Sequence, residues 1–137
     1  MPTTTAMTNL LESALINLVL NGTANPYTRV THIGILSAAG SDSGQTEMSS
    51  STRASIAFGS SSSGSAVTNT GAITFTNSGW GSTSVYGVGF YTTDGVVGGG
   101  GGGLGTCLLY GNFDSVVTVA AGQSLQFNIN GITISMD

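Results

Sequence analysis

The sequence predicts a mainly β protein: a single antiparallel β-sandwich, jelly-roll-like in build, behind one short N-terminal α-helix. Three observations predict it. Apolar residues recur at helical period in one stretch near the N-terminus. Beyond it the period is two, in about eight short stretches spaced by roughly 10 residues. Turn-forming residues punctuate those stretches, and the 137-residue chain holds 22 glycines. The length suits one core, and no linker or repeat divides it. Residues 1–137 therefore read as one domain, with a polar arm over 1–8, a helix over 9–22 and the sandwich over 28–137.

The arm is threonine-rich and extended. Asn9 is a good N-cap, and Glu12 stands where a capping box wants its acid. Leu10, Leu11, Ala14, Leu15, Leu18 and Val19 make a wide apolar stripe, and Asn21-Gly22 supplies a left-handed stop. After Asn25-Pro26, the run from Val30 to Ser37 is apolar on both faces, as a central, doubly covered strand requires. A Ser-, Gly- and acid-rich loop spans residues 38–51. Then Ala54, Ile56 and Phe58 share one side of a strand. Residues 60–65 are a low-complexity turn, and 67–75 read as one strand. Gly79-Trp80-Gly81 forms a corner. Val85, Val88 and Phe90 belong to a glycine-spaced strand ending near Tyr91. Asp94-Gly95 marks a hairpin tip, and residues 106–110 and 116–119 read as two further strands. Ala121-Gly122 is a turn. Leu125, Phe127 and Ile129 alternate up to Asn130-Gly131, a strong hairpin signal, and Ile132, Ile134 and Met136 alternate after it.

Composition narrows function. Charged residues are 6% of the chain, against about 25% in an ordinary globular protein. There is no lysine, and the cations are Arg29 and Arg53, with net charge −4. So few cations exclude nucleic-acid binding and a basic membrane-surface patch. The single Cys107 allows no internal disulfide and no cysteine-rich zinc site. No positive n-region precedes the apolar stretch, and no run approaches the ~18 residues of a spanning helix. The expected mature protein is the whole chain, made in the cytoplasm. Asn21-Gly22-Thr23 matches a glycosylation acceptor but reads as a helix end.

Candidate chemistry is thin. The glycine run at 98–103 lacks the lysine and following helix of a phosphate cradle and reads as a flexible loop. His32 lies mid-strand, far in sequence from Cys107, and reads as structural. Cys107 reads as a small packed hydrophobe. Asp42 and Glu47 share a polar loop without the spacing of a calcium site and read as solvated. Trp80, Tyr86, Tyr91 and Tyr110 read as core or interface aromatics, with a sugar platform as the alternative. With one histidine and scattered acids, no enzyme, metal or cofactor is expected, an envelope hydrolase included. A surface built of Ser, Thr, Asn and Gly lacks the charge that keeps free domains soluble. It suits a subunit fixed among copies of itself.

Nearly the whole chain resembles a family of small bacteriophage virion proteins. The resemblance begins at Leu10-Leu11-Glu12-Ser13-Ala14-Leu15 and continues through Val30-Thr31-His32-Ile33-Gly34-Ile35-Leu36-Ser37. It takes in the arginine-bearing Ser51-Thr52-Arg53-Ala54-Ser55-Ile56-Ala57-Phe58 and the stretch Val67-Thr68-Asn69-Thr70-Gly71-Ala72-Ile73-Thr74-Phe75. Its most specific part is Trp80-Gly81-Ser82-Thr83-Ser84-Val85-Tyr86-Gly87-Val88-Gly89-Phe90-Tyr91. Gly105-Thr106-Cys107-Leu108-Leu109-Tyr110-Gly111, Val119-Ala120-Ala121-Gly122-Gln123-Ser124 and Gly131-Ile132-Thr133-Ile134-Ser135-Met136-Asp137 complete it. Two departures stand out: the long run at 98–103, and the missing lysine before 116–119.

Members of that family are often labelled tail fiber proteins, and proteins of similar build serve as capsid cement. The resemblance implies a fold and no catalytic residues. It leads to the expectation of a non-enzymatic capsid cement (decoration) protein on the outer capsid surface, trimeric and bridging major capsid proteins. Met7, Leu11, Leu15 and Leu18 are the expected contact residues. The alternative is a tail-fiber or tail-tip protein that binds a host receptor or glycan.

Overall fold

The computed structural model describes residues 2–22, 24, 29–59, 66–95 and 106–135, with the backbone alone over 2–6. The glycine run at 98–103, the serine turn at 60–65 and Asn25-Pro26 lie outside the described residues. The chain runs β1 (Pro2–Met7), α1 (Asn9–Asn21), β2 (His32–Leu36), β3 (Ala54–Ser55), β4 (Ala66–Thr68), β5 (Ile73–Thr76), β6 (Ser84–Tyr91), β7 (Cys107–Thr118), β8 (Ser124–Phe127) and β9 (Thr133–Ser135). It is mainly β with one helix, as the sequence predicts.

One antiparallel five-stranded sheet has the order β1-β7-β6-β2-β3, and two antiparallel ribbons pair β4 with β9 and β5 with β8. The arrangement is sandwich-like. Ile33, Ile35, Val85, Val88 and Phe90 of the sheet meet Ile73, Phe75, Phe127 and Ile132 of the ribbon side in one core. Phe127 sits edge-on to Phe75, with ring centroids 6.5 Å apart, and 6.3 Å from Phe113. Val85 and Val88 both face this core, three residues apart, because the β6–β7 register shifts between Val85 and Gly87. Ala54, Ile56 and Phe58 also face it together, as their alternation predicts.

The stretch expected as an arm is, over Pro2–Met7, an edge strand paired to β7. Its run of β-branched threonines suits a pleated strand. The cap lies one residue earlier than predicted. Glu12 N–H donates to Thr8 O, so Thr8 is the cap residue, and Asn9 is already helical. The Thr8 hydroxyl makes no cap bond. It donates instead to the carbonyls of Cys107 and Leu108. Gly22, left-handed at φ 65°, closes the helix by donating to Asn17 O.

Three strand assignments change. The predicted strand over 67–75 is broken into β4 and β5 at Asn69, which is fully buried. The stretches over 106–110 and 116–119 join into the single twelve-residue β7, although its pairing with β6 skips from Asn112, opposite Gly87, to Val117, opposite Val85. Asn130-Gly131 turns the chain, with Asn130 at φ 59°, but β8 and β9 do not form a hairpin. The Asn69 carboxamide explains this: its Nδ2 donates to Asn128 O, and its Oδ1 accepts from Ile132 N–H. It occupies the Ile132 N–H that a two-residue hairpin would pair, and β9 joins β4 instead.

Asn77 ties the opposite end. Its Nδ2 donates to Val119 O, and its Oδ1 accepts from the N–H groups of Gly79 and Trp80. Among the described residues, no buried side-chain nitrogen or oxygen lacks a partner.

The second half of β2 is bordered by the loop after it, through Met48 N–H to Ile35 O and Ser37 N–H to Thr46 O. That loop was expected to be solvated, and at Glu47 it is not. The carboxylate is 3% exposed and is forked by Arg53, itself 1% exposed, from Nε to Oε1 at 2.8 Å and Nη2 to Oε2 at 2.9 Å. The guanidinium also lies 3.6 Å from the centroid of the Tyr91 ring. The outer sheet face is glycine there. A Cβ on Gly34 would strike Glu47 Oε1, and one on Gly89 would lie 2.8 Å from a Tyr91 ring carbon.

Candidate functional site

The strongest candidate is the surface of α1, and it follows from how the helix is seated. Its N-terminus is pinned. Thr8 N–H donates to Leu108 O at 3.0 Å, and Asn9 N–H donates to Asp42 O at 3.2 Å. Asp42 is held in turn by the Tyr110 hydroxyl, which donates to Oδ1 at 2.7 Å. That bond, with some desolvation, raises the Tyr110 pKa and keeps the hydroxyl protonated. Asn112 fixes the same loop by bonding both the N–H and the C=O of Gly40.

Beyond this anchor, among the described residues, the helix packs on one side. It adjoins β1 and β7, and Ala14 is its one buried residue. At 100° per residue, Leu11, Ala14, Leu15 and Leu18 fall on one face. Leu11 and Leu15 are half-buried, and Leu18 is 41% exposed. The opposite side is also apolar: Ile16 is 56% exposed, Val19 76% and Leu20 75%. These apolar side chains face outward on a side that they share with the exposed Glu12 and Ser13. Exposed apolar patches of a few hundred Å² mark interaction sites.

The structure thus divides the expected contact residues. Met7 is half-buried on β1 opposite Leu109. Leu11 and Leu15 are partly spent against the protein's own body, and Leu18 stands at the boundary. The exposed apolar residues of α1 are Leu10, Ile16, Leu18, Val19 and Leu20. Leu10, Leu18 and Val19 belong to the apolar stripe read from the sequence, and Ile16 and Leu20 lie outside it.

The other candidates resolve differently. Trp80 packs against the core, and Tyr91 and Tyr110 are buried, so the aromatics form no common platform. Cys107 lies beside Tyr91 in the β6–β7 register, and its Sγ–H donates to Leu109 O. Burial pushes the thiol up to about 11, so it is not a thiolate at neutral pH. His32 is 2.8 Å from the Thr31 hydroxyl and 3.4 Å from that of Ser55. Among the described residues, no three His, Cys, Asp or Glu side chains group as metal ligands would. No described helix is long and apolar enough to cross a membrane.

A family model described as podophage GP4 fiber I protein gp80 matches residues 6–135. No curated protein and no solved structure matches the chain.

Proposed function

We propose, from the premise that the chain belongs to the podophage GP4 fiber I protein gp80 family and is thus a bacteriophage structural protein, that it is a non-enzymatic fiber subunit of the virion. In this reading it assembles with copies of itself through the outward face of α1. The carrying observation is the exposure of Ile16, Val19 and Leu20 on a helix whose other side is already seated. Each such side chain contributes roughly 1.5–3 kcal/mol on full burial. A second copy is the occupant that suits this face, because α1 carries no cation and one acid, Glu12. It offers little to a charged partner and everything to another apolar surface. Three copies are the expected number.

A second reading, a capsid cement protein bridging major capsid proteins, is favoured by the charge-poor surface of the whole chain. In that case α1 docks on the shell. Gold labelling of intact virions with an antibody against this chain separates the two. Label on projecting fibers or the tail supports the fiber subunit. Label spread evenly over the head shell overturns it in favour of cement.

A further inference from the structure

Among the described residues, β1 is the longest strand with a neighbour on one side only. It pairs with β7, and nothing described pairs with its outer side. The other end of the sheet is closed: after β3, Phe58 bridges Asn69, and Thr70 N–H donates to Ala57 O. The half of β7 beyond Phe113 also lacks a described strand on the β1 side, but it is guarded by the charge of Asp114 and by the register shift toward β6. β1 has such guards only at its start, where Pro2 stands and the register shifts before Thr4. From Thr4 to Met7 the pairing is regular, and residues 2–7 carry no charge.

The phase of the ladder decides which backbone groups are left over. Thr8 N–H donates to Leu108 O in the register that pairs Met7 with Leu109. Antiparallel pairs alternate between bonded and non-bonded. Thr4 and Ala6 therefore turn their N–H and C=O groups toward β7, and Thr5 and Met7 turn theirs outward. We propose that this edge pairs with β1 of a second copy, antiparallel and centred on Ala6. Thr5 then exchanges backbone hydrogen bonds with the partner's Met7, and Met7 with the partner's Thr5. Ala6 faces the partner's Ala6 on a two-fold axis. The edge suits a copy of itself because it sets no like charges opposite each other, whereas a charged foreign segment finds no counter-charge. Each bond replaces one to water and adds little alone. The proposal rests on the fiber reading in one respect: α1 gathers copies into a unit, and the seams between two units then act together. Being two-fold, the seam joins such units in pairs.

The test compares the mass of the full chain with that of Thr5→Pro by size exclusion and light scattering. Proline there removes an N–H that faces away from β7, so the β1–β7 ladder keeps its bonds. Thr5→Pro is expected to give particles of half the wild-type mass. Cross-linking reads the seam without altering backbone donors. In a Cys107→Ala background, Ala6→Cys sets two cysteines with Cα atoms about 4.5 Å apart, within disulfide reach. With oxidised glutathione it is expected to link copies in pairs at least about tenfold faster than the same change at the exposed Ala120. The proposal is overturned by equal masses for wild type and Thr5→Pro, or by Ala6→Cys linking no faster than Ala120→Cys. Failure of the α1 contact is a different result: Val19→Glu with Leu20→Glu then keeps the wild-type mass, and the Ala6→Cys rate still decides the seam.

Discussion

Arg53 grips Glu47 through two hydrogen bonds while its guanidinium carbon lies 3.6 Å from the centroid of the Tyr91 ring. Both partners are almost wholly withdrawn from water. Removing one charge strands the other in a low-dielectric site, which costs about 3–5 kcal/mol. Glu47→Gln should therefore lower the urea midpoint sharply. The double variant Glu47→Leu with Arg53→Met should recover part of the loss, since neither charge is then left alone.

The same pair makes Gly34 irreplaceable. A methyl there would meet Glu47 Oε1 and lie 3.1 Å from a Tyr91 ring carbon. Overpacking of this kind costs roughly 1–3 kcal/mol. Gly34→Ala is expected to lower the melting temperature. Gly71→Ala, with nothing within 4 Å of the new methyl, should leave it nearly unchanged.

Asn77→Ala deletes one donor bond and two acceptor bonds at a buried corner. Leaving Val119 O and two loop N–H groups without partners costs about 1–3 kcal/mol for each group that stays buried. Chemical denaturation should show the loss, and the amide of Trp80 should lose hydrogen-exchange protection first.

Stability should fall as pH rises above about 9. The unfolded thiol of Cys107 loses its proton near its ordinary 9.0, whereas burial holds the folded one up to about 11. Between those values the unfolded state binds fewer protons, so stability declines as pH rises. Burial raises the Tyr91 phenol as well, which extends the decline to higher pH. Urea midpoints at about pH 7 and about pH 10.5 measure it, and Cys107→Ala should remove part of the slope.

On α1, Val19→Glu with Leu20→Glu should leave monomer stability within about 0.5 kcal/mol, because both side chains already face water. Self-association, read by light scattering, should be lost. Ala14→Glu places a charge at the one buried helix position and is expected to unfold the helix anchor instead.

Much of this fold is legible in residue order. Helical spacing finds α1, and Ile33 and Ile35 alternating with Gly34 and Leu36 announce a strand covered on both faces. Local pattern failed where a distant side chain decides. Asn69 overrules the Asn130-Gly131 hairpin, and the Glu47–Arg53 fork turns an apparently solvated loop inward. Neither has a period to read. The candidate surface was half visible: the apolar character of α1 was evident, but which side would be seated depends on β1 and β7. Those strands meet only through contacts some 100 residues apart in the chain, as from Thr8 to Leu108.

The pairing of β1 with β7 also sets an order of events. Helix α1 is synthesised some 100 residues before the strand that seats it. At roughly 5–20 residues per second on the ribosome, the interval is on the order of 5–20 seconds. Throughout it the apolar side chains of α1 are without their β7 neighbour. Folding is thus weighted toward non-local contacts and slow, and α1 is seated only once β7 has been made. Under the proposed reading, contact between copies through α1 has to wait for that seating.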